Sequence, residues 1–293
     1  MMFFIAIMIT YSKIKIRDGG NMYKLIACDL DETLLRDDRH VSLQDQKAIH
    51  SLKDYGVKFV PATGRGFKSI EATLKELDVF QKENEYVISY NGGALSENKD
   101  DRVLHFEGIP FSIANALYQK GLTYDVCIHV YTQDHVYVAH INDDERAYIT
   151  GRIEFEVIDE DSIDFLKNED IVKVLYSNTD FNYLQSIEKD LHDLTGNLDV
   201  SYSSHRFIEF NHKGVNKGKG LLILGNILGI EPEEMIAVGD NFNDLPMLKV
   251  AGLGIGVQNT VEDMKKECDY ITKATHNESA ISEIIEKFII NKK

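Results

Sequence analysis

Two short apolar runs, Leu25-Ile26-Ala27-Cys28 and Met235-Ile236-Ala237-Val238, lie near opposite ends of the chain, and carboxylates follow both. Asp29 and Asp31 come after the first, Asp240 and Asp244 after the second. Runs this short, with no polar alternation, suit strands covered on both faces, as in a parallel sheet. An ionised carboxylate at the end of a buried strand is penalised by desolvation and by its like-charged neighbours. A divalent cation offsets that cost, and oxygen-only ligands suit magnesium. These runs therefore constrain both the fold and what gathers at one edge of it.

The flanking sequence extends the pattern. Ser42 with Asp45 three residues on reads as a helix start of the capping-box kind. Ala48, Ile49, Leu52 and Tyr55 recur at helical spacing, and Gly56 ends the helix. Residues 57–60 form a second strand running into Pro61-Ala62-Thr63-Gly64-Arg65; a helix follows near 69–77, then a third strand at 86–90 ending in Asn91-Gly92-Gly93. This βαβαβ rhythm predicts an α/β fold with a doubly wound parallel sheet.

Between 103 and 202 the pattern changes. Segments 103–106, 126–131 and 136–139 alternate polar and apolar residues, with a hairpin turn at Gln133-Asp134-His135. Strands at 171–176 and 198–202 flank a helix near 181–194, so an α+β module is expected as an insertion. The first rhythm then returns: a strand at 207–210, a helix at 217–228, the strand at 235–238, and a helix from Asn243. The expected organisation is a core of 22–92 and 206–293, with 93–205 inserted as a cap. Residues 1–21 are read as a mis-assigned start or a disordered tail. Their apolar stretch of about ten residues falls short of the ~20 that a bilayer requires.

Composition removes several classes of function. A net charge of −16 without a basic stripe argues against nucleic acid as a partner. The cysteines, Cys28, Cys127 and Cys268, are far apart and lack metal-ligand spacing, so neither a disulfide framework nor a zinc site is expected. A reducing cytoplasm fits, with no membrane partner and a monomer or weak homodimer as the state. His105, His129, His135 and His140 are read as ordinary sheet residues rather than ligands. Gly252-Leu253-Gly254-Ile255-Gly256 is read as a closely packed strand, not a dinucleotide loop.

Ligands of parallel sheets collect at the carboxyl ends of the strands. Asp29, Asp31, Thr63 and Asp240 all follow predicted strands there, and Lys217 opens a helix pointed at the same edge. Such a set suits phosphoryl transfer. A carboxylate cannot approach a phosphate dianion unless positive charge cancels the repulsion, and Mg²⁺ on Asp29 and Asp240 plus the Lys217 ammonium would supply it. The Thr63 hydroxyl and nearby backbone N–H groups, Gly64 among them, could hold phosphoryl oxygens. Asp31, on the other side of the extended chain, could protonate a leaving oxygen and later take a proton from water.

Four segments, Asp29-Leu30-Asp31-Glu32-Thr33-Leu34-Leu35, Ala62-Thr63-Gly64-Arg65, Val215-Asn216-Lys217-Gly218 and Gly239-Asp240-Asn241-Phe242-Asn243-Asp244, occur in one order. In that order and spacing the chain resembles the haloacid dehalogenase superfamily, and more narrowly its Cof-type phosphatases, over everything after Met22. The resemblance implies a Rossmann-like core with an inserted cap, Mg²⁺ as cofactor and an aspartyl-phosphate mechanism. It implies Asp29 as nucleophile and metal ligand, and Asp31 as acid/base whose main-chain carbonyl also meets the metal. Thr63 and Lys217 match phosphate-binding positions and Asp240 the metal-holding carboxylate. Asn243 and Asp244 match supporting positions, and Arg65 is within reach of substrate. Glu32 stands where the family usually has Gly, so a turn less demanding than a left-handed one is expected there.

The expected function is hydrolysis of small phosphomonoesters such as sugar phosphates, nucleotides or phosphorylated cofactors. A phosphotransferase or sugar phosphomutase, and a non-catalytic sensor of phosphorylated ligands, are the alternatives.

Overall fold

The computed structural model describes residues 23–291, so the expectation for residues 1–21 lies outside the described residues. The carboxylate-ended runs are the central strands of a five-stranded parallel sheet. In chain order its members are β1 (Leu25–Cys28), β2 (Lys58–Pro61), β12 (Met235–Gly239), β13 (Leu253–Gly256) and β14 (Tyr270–Ile271). Their spatial order is β14-β13-β12-β1-β2. Leu25 pairs with Met235 and Cys28 with Val238, so the two strands end level.

Alternation along β1 explains why it must be covered twice. Ile26 and Cys28 enter a core with the helices Leu43–Ser51 and Ala280–Ile285, while Leu25 and Ala27 enter another with Lys217–Leu228 and Leu245–Val250. All four side chains are fully buried. At ~25 cal/mol per Å² of apolar surface, two-sided burial is the main term holding so short a strand. Connections leave β1 towards β2 on one side and β12 towards β13 on the other, so their adjacent carboxyl ends form the topological switch point.

Helix starts follow the expected chemistry with one change. Ser42 Oγ accepts from Asp45 N–H at 3.0 Å, but the Asp45 carboxylate does not close a reciprocal box. It accepts from the Ser42 hydroxyl and from Ser282 N–H and Oγ–H at 2.7 and 2.9 Å, tying the first helix to the last.

A second sheet, in the order β10-β11-β9-β6-β7-β8, contains β6 (Cys127–Thr132), β7 (Val136–Ala139), β8 (Glu156–Val157), β9 (Ile171–Ser177), β10 (Leu198–Ser203) and β11 (Phe207–His212). It is antiparallel except where β7 meets β8. The helices Phe111–Gly121 and Phe181–Asp190 bury Leu117, Tyr118, Leu184 and Ile187 against Ile128, Val174, Tyr176 and Phe210 on one face. The molecule is thus an α/β core with an α+β cap.

Two strand assignments differ from the sequence expectation. The strand at 207–212, expected in the core from 206 onward, pairs with β9 and β10 in the cap sheet. Ile208 and Phe210 alternate with half-buried Phe207 and Glu209, the period-2 pattern of a one-faced sheet. Conversely, β4 (Ala94–Glu97) and β5 (Arg102–Phe106), expected in the cap from 93 onward, ladder onto β3 (Tyr86–Ser89). A single parallel bridge, Ala62 to Ile88, joins β3 to the end of β2. The tight turn after β3 folds the chain back on itself, which keeps β4 and β5 with the core.

No helix among the described residues is long and apolar enough to cross a membrane. All three cysteines are free thiols. Burial, then the Asp29 charge, pushes the Cys28 thiol well above its usual range, so it packs as a small apolar group.

Candidate active site

Asp29 and Asp240 emerge from β1 and β12 at the switch point, each more than nine-tenths buried. Asp29 N–H donates to Val238 O at 2.9 Å, which locks the two strand ends together. Lys217, the first residue of its helix, is wholly buried. Its Nζ donates to Asp29 Oδ1 at 2.5 Å and to Asp244 Oδ1 at 2.6 Å. The other Asp244 oxygen accepts from the Asp240 and Asn241 N–H groups at 3.0 and 3.1 Å. Thr33 Oγ1 donates to Asp240 Oδ1 at 3.0 Å.

Two glycines make this convergence possible. A Cβ on Gly218 would lie 2.4 Å from Pro246 O, so only glycine lets the Lys217 helix approach the helix after Asp244 this closely. A Cβ on Gly239 would lie 2.4 Å from the Asp244 Cβ, so glycine there admits the Asp244 side chain under the loop.

The electrostatics follow from burial. Asp29 is pushed up to about 7 by desolvation and the Asp244 charge, against the pull of Lys217. Asp240 is pushed up to about 8 by desolvation, then by Asp29 and Asp244. Burial works against the Lys217 ammonium, but the two carboxylates overcome it and hold its pKa above the ordinary value. Three carboxylates therefore face one ammonium, a surplus of negative charge that protons must carry in the absence of another cation.

These residues fit a hard divalent cation. Asp29, Asp240 and Asp244 each offer an oxygen, all within 4.8 Å of one another. Both Asp244 oxygens are already engaged, by Lys217 and by two backbone N–H groups. Asp29 Oδ2 and Asp240 Oδ2 accept no hydrogen bond among the described residues, which leaves Asp29 and Asp240 as the available carboxylate ligands.

The remaining expected residues fall around this centre. The Asp31 carboxylate is half exposed and pairs with the Arg65 guanidinium. Thr63 is buried at the end of β2; its N–H donates to Ile88 O at 2.8 Å, and its Oγ1 accepts from Arg65 N–H at 3.0 Å. Gly64 lies against the Asn91 carboxamide. Asn243 is exposed, and its Nδ2 reaches Asn91 Oδ1 at 3.4 Å.

Glu32 departs from the sequence expectation. It adopts a left-handed backbone, φ 57°, the conformation that glycine takes cheaply. Its carbonyl accepts from Asn259 Nδ2 at 2.7 Å, a contact that helps to hold the strained turn. The histidines of the cap form no metal-ligand group among the described residues. His129 is wholly buried, 3.1 Å from Glu145.

Sequence reasoning passed over Thr33 and Asn91. Thr33 lies inside the first motif, but only the fold reveals that it faces Asp240 from the neighbouring strand end. Asn91 reads locally as turn punctuation.

The profile of the haloacid dehalogenase-like hydrolases matches residues 26–285. YxeH of Bacillus subtilis, named as a candidate phosphatase, is 30% identical over 92% of this chain and 100% of its own. YcsE of the same organism, named as a 5-amino-6-(5-phospho-D-ribitylamino)uracil phosphatase, is 27% identical over 91% of this chain and 96% of its own. Among solved structures, a haloacid dehalogenase-like hydrolase from Bacteroides thetaiotaomicron superposes with a TM-score of 0.80 at 29% identity, covering 90% of this chain and 98% of that one.

Proposed function

The chain belongs to the haloacid dehalogenase-like hydrolases and is a hydrolase of phosphoric monoesters, and from that premise we propose that it is a Mg²⁺-dependent phosphatase working through a phosphoaspartate on Asp29. The observation that carries this reading is the buried Lys217 ammonium bridging Asp29 and Asp244 beside Asp240. It leaves one Asp29 oxygen held by Lys217 and the other without a hydrogen-bond partner among the described residues.

An oxygen of the Asp29 carboxylate attacks phosphorus, forming an acyl phosphate as the bond to the leaving oxygen breaks. Asp31 gives that oxygen a proton, then takes one from the water that hydrolyses the acyl phosphate and releases inorganic phosphate. Lys217 holds Asp29 in line and offsets negative charge in both steps, while Asp244 fixes Lys217. The Thr63 hydroxyl and the Gly64 backbone hold phosphoryl oxygens with help from Asn243, and Arg65 moves from Asp31 to the substrate. When bound by Asp29, Asp240 and the Asp31 carbonyl, Mg²⁺ supplies the positive charge that lets a carboxylate meet a phosphate dianion.

The substrate is a small phosphorylated metabolite. Within that class, a relative named for a phosphorylated ribityl compound supports phosphate esters of sugar-like alcohols among the expected sugar phosphates, nucleotides and phosphorylated cofactors. The cap would close over the leaving group and set specificity. Three free thiols support action in a reducing cytoplasm.

Assay of purified protein against a panel of phosphorylated metabolites in ¹⁸O-labelled water tests the proposal. Magnesium-dependent release of labelled phosphate is expected. Full activity in excess chelator, or phosphate moved to an acceptor without label, would overturn it.

A further inference from the structure

The turn after β3 is the most strained segment near the site that the proposed mechanism leaves unused. Tyr90, Asn91 and Gly92 have φ values of 52°, 54° and 96°, three successive residues on the left-handed side. For a bulky aromatic residue this is an outlier, and such conformations persist only when their surroundings over-determine them. The surroundings do so from three directions. Tyr90 N–H donates to Arg65 O at 3.1 Å and Asn91 N–H to Thr63 O at 2.9 Å, fastening the turn to the loop after β2. The Tyr90 hydroxyl donates to Gln133 O at 3.1 Å in the β6–β7 hairpin. A Cβ on Gly92 would lie 2.3 Å from the carbonyl of Asn216, which caps the helix that begins at Lys217.

This clamping delivers one functional group. The Asn91 carboxamide lies against Gly64, where an added Cβ would be 3.3 Å from both its nitrogen and its oxygen. Its Oδ1 accepts from Asn243 Nδ2 at 3.4 Å, while its own Nδ2 has no acceptor among the described residues. Asn91 therefore lies between the loop after β2 and the loop after β12, the two segments assigned above to phosphoryl oxygens, and its Nδ2 carries two N–H donors with no partner among the described residues. Phosphoryl oxygens only accept hydrogen bonds, so the chemistry is complementary.

We propose that Asn91 is a substrate-contacting residue, donating from Nδ2 to a phosphoryl oxygen while its Oδ1 holds Asn243 in place. The proposal rests on the phosphatase reading. A plainer account is that asparagine serves only because it tolerates the left-handed backbone. Glycine tolerates that backbone better still, so the two accounts predict opposite outcomes for Asn91→Gly.

The experiment measures p-nitrophenyl phosphate hydrolysis and the binding of orthovanadate, by calorimetry, in the presence of Mg²⁺. Asn91→Gly should lose roughly 10- to 100-fold in kcat/KM and in vanadate affinity, the range for a hydrogen bond to a charged group, while its Tm does not fall. Asn91→Asp, nearly isosteric but anionic, should lose more in both. Wild-type kcat/KM and vanadate affinity in Asn91→Gly would overturn the proposal, and this variant still decides the matter if Asn91→Asp does not fold. A wild-type enzyme that releases no phosphate would remove the phosphatase reading and this proposal with it; an active wild type with an unaffected Asn91→Gly removes this proposal alone.

Discussion

Lys217 Nζ lies 2.5 Å from Asp29 Oδ1, and neither group has solvent to fall back on. Each charge is therefore held by buried partners, Asp29 by Lys217 and Lys217 by Asp29 and Asp244 together. Replacing Lys217 by Met keeps the volume but leaves Asp29 and Asp244 without their cation. We expect loss of activity together with a destabilisation of about 3–5 kcal/mol near neutral pH, the usual cost of breaking a buried pair. Urea unfolding without metal and phosphate release with it measure the two effects. Unchanged stability would mean that the carboxylates are relieved in some other way.

Asp29→Asn should separate those effects. The amide cannot act as the nucleophile, so turnover should fall by about three orders of magnitude or more. The fold should survive, because the substitution also removes one of three crowded carboxylates. Phosphate release checks the first outcome and thermal unfolding the second.

Raised carboxylate pKa values make stability depend on pH in a defined direction. Desolvation and mutual repulsion push Asp29 up to about 7 and Asp240 up to about 8 in the folded chain, above the usual carboxylate range. The native state then binds more protons than the unfolded one between roughly pH 4 and pH 8, so this contribution is fully present at low pH and is lost as pH rises through the folded values. A divalent cation binds the ionised forms. We therefore expect metal-free Tm to fall from about pH 5.5 to about pH 8.5, and the increment given by Mg²⁺ to grow over the same window. Calorimetric scans at both pH values test this; an increment larger at the acid end would contradict it.

The strands that carry the site were legible because each is a short apolar run ended by polar groups, and two-sided burial demands such runs. Leu25–Cys28 and Met235–Gly239 lie where that pattern places them. Strand partners were less legible. Residues 207–212 precede a helix as a βα unit would, yet Ile208 and Phe210 find their core with β9, a pairing that local pattern does not encode. Asn91 and Thr33 were opaque for the same reason: their partners, Asn243 and Asp240, are remote in sequence. The left-handed backbone of Glu32 was hidden because tertiary contacts override intrinsic preference there.

Asp31 bears on the leaving group. Its half-exposed carboxylate, paired with Arg65, lies outside the buried cluster and can exchange protons with solvent. Asp31→Asn should therefore slow hydrolysis of alkyl phosphates, whose leaving oxygens need a proton, far more than hydrolysis of p-nitrophenyl phosphate. Ratios of kcat/KM for the two esters read this directly. Equal losses for both would show that Asp31 is not the acid.

Glu32 supplies a prediction about stability rather than chemistry. A non-glycine residue in the left-handed region costs about 1–2 kcal/mol, whereas glycine takes it freely but loses roughly 0.5–1 kcal/mol of chain entropy on folding. The Asn259 bond accepts at the Glu32 backbone carbonyl, so it survives replacement of the side chain. The exchange also removes one negative charge that helps to raise Asp240. Glu32→Gly should thus stabilise the metal-free protein by about 0.5–1 kcal/mol and lower the apparent pKa at which Mg²⁺ binding sets in. Chemical denaturation reads the first effect and Mg²⁺ titration across pH the second. A clear loss of stability would show that the Glu32 side chain holds the loop through a contact worth more than the strain it imposes.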